Sequence, residues 1–451
     1  MSLMTSRGLR AITSGRTFTS LRHHRNYRLY FSGQFLSLIG TWLQSAAMAW
    51  LVLQLTHSAF AVGLLAFWQF GPYALLGLFG GAISDRLDHR KALIVTQIAL
   101  ALCSATMAGL TLTHVVTVWE AYAIAALRGI ALILNNPSRQ AFIFQMVGRE
   151  ELPNAIALNS SLANATRILG PGVGGILIAA FGVGVCFSID ALSYGAVIIS
   201  LLAMRVDELL PMERKGRPSV LRGTAEGLRF AAQSQTIWVA LMIFVLICTA
   251  SINFTVLLPV VASTTLRAGA AVFGLLTAVF GVGALIGALV SASLGRATWR
   301  VLLVSAAAFG VGELMLAPQR SLVGAAILLL LTGVAYTLYT SNTNALVQLA
   351  APPHLQGRIA GLYSYIFSAS NPLGALLVGA LAESGGTQLA FLVGGAVAVL
   401  SAGFGVYVRL TSLRSSSPQL GARPERGAAG EVADRSDADA EVVEELAESP
   451  D

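Results

Sequence analysis

Residues 274–290 read GLLTAVFGVGALIGALV, seventeen positions without a charge and with a single hydroxyl. A strand of a spanning barrel alternates apolar and polar residues over about ten positions, and this run does not alternate. In hydrocarbon every backbone N–H and C=O must be satisfied within the segment, so a continuous apolar run of this length reads as a bilayer helix.

The pattern recurs along the chain. Of its 451 residues 55% are hydrophobic and 11% charged, and the mean hydropathy is +0.72, which excludes an ordinary soluble globular domain. Spans are read at 29–54, 58–84, 91–112, 118–137, 153–180 and 183–204, then at 236–262, 271–294, 300–317, 321–345, 357–382 and 388–410. The expected fold is an all-α membrane protein, with twelve transmembrane helices in two six-helix halves, 29–204 and 236–411. A polar linker, 205–235, joins them and carries a short amphipathic helix within SVLRGTAEGLRFAAQ. Residues 1–28 form a basic tail, and 412–451 an acidic tail poor in aromatics and expected to be disordered, whose partner the sequence does not name.

Charge sets the orientation. Of the 29 Lys and Arg, only Arg267 and Arg320 fall in connections on one side; Arg128 and Arg167 fall within spans, and the other 25 share the side of the N-terminus. The positive-inside rule makes that side cytoplasmic, with both termini in the cytosol. The surplus of +7 therefore reports topology, and its scatter among loops speaks against nucleic-acid binding. Cys103, Cys186 and Cys248 lie in apolar spans, and no H-E-x-x-H occurs, so neither a metal site, a cofactor nor an enzymatic centre is read from the sequence.

The two halves echo each other about 200 residues apart. VGLLAFWQFG at 62–71 faces FGLLTAVFGVG at 273–283, and QMVGREELPNAIA at 145–157 faces QLAAPPHLQGRIA at 348–360. Repeats that run in the same direction are related by an axis along the membrane normal, an arrangement suited to two halves rocking about a central site.

The stretches at 26–65, 137–161, 167–175 and 357–383 make residues 20–410 resemble a major facilitator superfamily transporter, of the branch that holds the enterobactin exporter and macrolide efflux proteins. The superfamily's loop pattern, G-x-x-x-D-R-x-G-R-[RK], stands here as Gly81, Asp85, Arg86, then Asp88 in place of the glycine, His89, Arg90 and Lys91. The resemblance implies that this loop lies against the start of the eleventh span, where Asp85 meets unpaired N–H groups and Arg358 adds attraction, a latch for the inward-closed state. Gly170, Pro171, Gly174 and Gly175 resemble the antiporter pattern G-P-x-x-G-G, implying a hinge or seal in the fifth span. The superfamily also places spans one, four, seven and ten along the pathway.

Polar residues at helical spacing are the candidates for that pathway: Gln34, Ser37, Thr41 and Gln44 in the first span, Asn253 in the seventh, and Tyr336, Tyr339 and Thr340 in the tenth. Packing between helices would use the same residue types, so both readings stand. Acids within spans are the candidates for proton coupling. Glu120 is the first choice, on a pathway helix near its outer end; Glu313 is expected at a solvated span end. Asp190 is expected to neutralise Arg167 on the neighbouring helix, with proton carriage as the alternative, and Arg128 is a coupling candidate by family position. The expected function is export of a small amphipathic organic compound, a drug or siderophore, across a bacterial inner membrane by proton-coupled antiport. Import of a metabolite and a sensor that has lost transport are the alternatives.

Overall fold

The computed structural model describes residues 18–211, 220–353 and 355–415, and every regular element among them is helical. Residues 1–17 of the basic tail and 416–451 of the acidic tail lie outside the described residues, and the rest of the basic tail is largely helical. A five-residue helix α1 (Thr19–His23) precedes α2 (Arg25–Thr56), α3 (Ala59–Ser84), α4 (His89–Leu112), α5 (Val118–Phe181) and α6 (Val183–Leu202). Then come α7 (Val220–Gln233), α8 (Gln235–Ala250), α9 (Phe254–Val260), α10 (Ala270–Leu294), α11 (Trp299–Leu316), α12 (Leu322–Leu349) and α13 (Gln356–Ser415). Residues up to Gly405 form one unit, which carries every feature below.

Ten stretches are long and apolar enough to cross a bilayer. Two of these cannot cross only once. Helix α5 has 64 residues and α13 has 60, about 90 Å at 1.5 Å per residue against ~30 Å of hydrocarbon. Each turns back at a glycine in the left-handed region: Gly148 with φ 71° in α5 and Gly386 with φ 71° in α13. With these turns the chain crosses twelve times, as the sequence predicts.

Two spans differ from the expected limits for physical reasons. The fourth runs on to Gly148 because Pro137 stays inside the helix; neighbouring helices can satisfy the carbonyl that a proline frees in a bilayer. The seventh is not continuous. Ser251 and Asn253 leave helical geometry between α8 and α9, and a π turn at Val261–Thr265 closes the span.

The face where α2 begins is called here the terminal face, and the one where α2 ends the distal face. Packing near the terminal face fixes the first half. Tyr27, Tyr30, Leu93, Phe142, Met146 and Leu201, from spans one, three, four and six, share one buried cluster. The Tyr27 hydroxyl donates to the Ala155 carbonyl at 2.9 Å. Asn26 and Arg205 exchange two hydrogen bonds of 2.8 and 3.1 Å that tie the chain's start to the end of α6.

Candidate transport pathway and gates

Spans two and eleven belong to different halves; glycines bring them together near the distal face, and further towards the terminal face the Tyr365 hydroxyl donates to the Ala74 carbonyl at 2.9 Å. Near the distal face Gly63 faces the Ala375 carbonyl so closely that no Cβ fits, and a Cβ on Gly379 would stand 3.0 Å from the Ala59 carbonyl. Near the terminal face a Cβ on Gly81, Gly357 or Gly361 would meet nothing within 4 Å.

Spans five and eight repeat the distal closure. A Cβ on Gly175 would stand 2.6 Å from the Cα of Gly274, and one on Gly172 would stand 3.2 Å from the Ala278 Cβ. Beside them Trp50 of the first span stacks on Phe273 of the eighth, with centroids 5.9 Å apart and planes 9° from parallel.

A carboxylate locks this closure. Glu383, at the distal end of span eleven, accepts from the Ser58 hydroxyl at 3.0 Å, the Ala59 N–H at 2.7 Å and the Phe60 N–H at 3.3 Å. It thus caps the start of α3, where unpaired N–H groups favour a negative charge. Sequence reasoning passed over Glu383; its place at a span end, a helix apart from Ser58, gave no local signal.

The terminal-face loop is arranged differently. Asp88 is the N-cap of α4 and accepts from the Lys91 N–H at 3.1 Å, while the Arg90 Nε donates to the Leu201 carbonyl at 2.9 Å at the end of α6. Asp85 is the C-cap of α3 and is exposed, as is Arg86. Arg358 is ion-paired with Glu226 of the linker helix α7.

The ion pair expected between Arg167 and Asp190 is not formed. Asp190, fully buried in span six, pairs instead with Arg128 of span four at 3.3 Å. Ser104 links the two, donating to Asp190 at 2.6 Å and accepting from Arg128 at 2.7 Å. Arg128 also donates to the Tyr194 hydroxyl at 3.1 Å, and Tyr194 reaches Thr41 at 3.3 Å. This cluster ties spans one, three, four and six together.

Arg167 points elsewhere. Gly170 and Gly174, three and seven residues on, pack against Trp42 and Leu43 of the first span; Pro171 and Gly175, four and eight residues on, pack against Gly274 of the eighth. A side chain between those two faces of a helix aims between spans one and eight. Arg167 is nonetheless exposed, and its guanidinium stands 5.4 Å from the centre of the Trp42 ring.

The remaining candidates are placed as follows. Gln34, Ser37 and Gln44 are buried, and the flanking Gly33 and Gly40 pack on Ser200 and Ser193 of span six. Asn253 is buried and donates back to the Thr249 carbonyl at 3.2 Å across the break in span seven. Tyr336 and Tyr339 sit among Phe280, Phe309 and Phe244, and Thr340 bonds its own helix. Glu120 closes a capping box with Thr117 at the distal start of α5.

Glu313 is buried at 1% exposure, which corrects the expectation of a solvated span end. Helix α11 stops three residues later, but its neighbours extend further: the carboxyl lies beside Ser251 at the break in span seven and beside Gly394 in span twelve. Its Oε2 has no hydrogen-bond partner.

The family described as transmembrane secretion effector matches residues 16–436. Among relatives, the chain is 24% identical over 389 residues to macrolide efflux protein A of Streptococcus pyogenes, covering 84% of this chain and 96% of the relative. It is 27% identical to the multidrug efflux pump Tap of Mycolicibacterium fortuitum, covering 78% and 88%, and 26% identical to the enterobactin exporter EntS of Escherichia coli, covering 89% and 96%. Its fold is shared with a bacterial homologue of the human lysosomal transporter Spinster, at a TM-score of 0.69 and 13% identity over 86% of this chain and 97% of the other. A D-xylose-proton symporter matches at 0.62 and 14%, over 83% and 97%. With this fold and a family match across nearly its whole length, the chain belongs to the transmembrane secretion effector family of major facilitator transporters.

Proposed function

We propose that this transporter exports a small amphipathic organic compound, of drug or siderophore type, by alternating access in antiport with protons. The observation that carries the reading is the unequal contact of spans two and eleven, which pack glycine on backbone and are capped by Glu383 at the distal face, are joined further in through Tyr365 and Ala74, and leave open space at Gly81, Gly357 and Gly361 at the terminal face. With the positive-inside orientation, the open end faces the cytosol, ready to load an internal solute.

Rocking of the halves would break the distal glycine contacts and the Glu383 cap, and would bring the Asp85 loop to the start of span eleven. Gly170, Pro171, Gly174 and Gly175 would act as the seal that opens. For coupling, Glu313 joins Glu120 and Asp190 as a candidate, because its burial without a cation makes its charge state costly to change.

The test is uptake of labelled macrolide and enterobactin into inverted membrane vesicles with and without a proton gradient. Gradient-dependent accumulation of either, abolished by a protonophore, is the expected result. Gradient-driven loss of preloaded solute would favour import, and no movement of either under any gradient would favour a sensor.

A further inference from the structure

We infer that Arg167 and Trp42 form the binding site for an anionic group on the transported compound, and that the transporter therefore selects amphipathic aromatic anions over neutral or cationic analogues. The inference rests on the export reading for its biological meaning, but not for its test.

Arg167 lies about 29 Å along its helix from the Gly148 turn and about 21 Å from Phe181, at 1.5 Å per residue. That is bilayer depth, where a guanidinium has to reach water or a partner. No carboxylate is within ion-pair distance of it among the described residues. The buried acid nearest in expectation, Asp190, is already taken by Arg128 and Ser104.

The helix faces beside Arg167 are both occupied by protein, so its exposure is not to lipid. It opens into the space between spans one and eight, one turn on the terminal side of the point where Pro171 and Gly175 meet Gly274. It thus stands just short of the distal closure of spans five and eight.

The chemistry of such a site is specific. A guanidinium offers a planar fork of donors matched to carboxylate, sulfonate or phosphate oxygens, and the five donors here have no competing protein acceptor among the described residues. The Trp42 ring beneath it holds the fork in place through a cation–π contact and presents an aromatic surface to a ligand ring. An aromatic anion satisfies both groups at once; a neutral aromatic leaves the arginine bare, and a cation is repelled by it.

The test compares anilinonaphthalene sulfonate with its uncharged parent, phenylnaphthylamine, which differs by the sulfonate alone. Binding of each dye is measured by fluorescence titration of the full chain in lipid nanodiscs, with empty nanodiscs subtracted. The wild type is expected to bind the sulfonate more tightly than the parent. Arg167→Gln should weaken sulfonate binding about tenfold, the scale of a hydrogen bond to a charged group, and leave the parent unchanged. Arg167→Lys should recover part of the loss, and Trp42→Leu should weaken both dyes. Unchanged binding of the parent also shows that the Arg167→Gln protein is folded. Sulfonate binding no tighter than that of the parent in the wild type, or an equal loss of both dyes in Arg167→Gln, overturns the inference. Because the protein is not energised, binding can fail while efflux succeeds, and efflux can fail while binding succeeds.

Discussion

In the first half Asp190 lies against Arg128, Ser104 and Tyr194; in the second half Glu313 lies against Ser251 and Gly394 with no cation in ion-pair reach among the described residues. The two sites occupy related places. Asp190 stands eight residues after Gly182, which has φ 81°, and Gly394 stands eight after Gly386, which has φ 71°. Arg128 follows Val118 by ten residues, as Thr332 follows Leu322. Each half therefore places an acid near the junction of its first, third and sixth helices, on the sixth helix in the first half and on the third in the second. Where the first half has Arg128, the second has Thr332. A buried acid that keeps its cation is a tie between helices. One that has lost it is a place where binding a small cation changes the energy of the whole packing.

The sharpest way to break this contrast is Asp190→Asn. It leaves Arg128 buried with a neutral partner, and breaking such a pair costs about 3–5 kcal/mol. We expect lower yield and an earlier thermal transition in detergent. Arg128→Met combined with Asp190→Leu should recover much of the loss, since removing both charges ends the desolvation problem. If the single variant is as stable as the wild type, the cluster is not a structural tie.

Glu313→Gln should behave in the opposite way. With no cation to orphan, its stability should change by less than about 1 kcal/mol, while accumulation driven by a proton gradient should fall at least about tenfold. Exchange of labelled for unlabelled solute should persist, because it needs no net movement of the coupling ion. Wild-type dependence on the gradient in this variant would remove Glu313 from coupling.

The number of spans was legible in the sequence because hydrocarbon thickness dictates a minimum apolar run. How each helix is rotated was not. A helix apolar on all sides carries no stripe that tells lipid from protein, and the hydroxyls and amides of the first span suit a helix interface as well as a cavity. Gln34, Ser37 and Gln44 are buried, and Asp190 pairs with Arg128 rather than with the expected Arg167. One available signal was unused: aligning Gly182 with Gly386 pairs Arg128 with Thr332 and Asp190 with Gly394, which marks Arg128 and Asp190 as features of one half.

The same comparison extends to the gates. At the distal face Glu383 of span eleven caps the start of span two; at the terminal face Asp85 of span two is expected to meet the start of span eleven. The two latches pair the same two spans at opposite faces and should hold opposite states. Glu383→Gln weakens three hydrogen bonds to a charged acceptor, worth roughly 1.5 kcal/mol, so the distal-open population should rise about tenfold. A cysteine placed at Gly63, in a protein cleared of its three native cysteines, is too disruptive for the assay; one at exposed Phe60 suits it. Unchanged labelling from the distal side would count against the latch.

Asp85→Asn should give the smallest effect and the opposite sign. A carboxylate at an exposed helix start contributes about 0.3–1 kcal/mol, so the shift towards the terminal-open state is several-fold at most. The structure adds a competitor. Arg358, at the start of span eleven, is ion-paired with Glu226 of the linker helix, so the residue expected to attract Asp85 is occupied while the passage is open. Glu226→Gln should free Arg358 and favour closure at the terminal face, against the direction of Asp85→Asn. The two are read together as thiol accessibility from the terminal side at Gly361→Cys, a position with open space around it. Opposite shifts that cancel in the double variant would place Asp85, Arg358 and Glu226 in one switch. If Glu226→Gln shifts the balance and Asp85→Asn does not, Arg358 is controlled by the linker alone, and the acid in the loop serves only to end its helix.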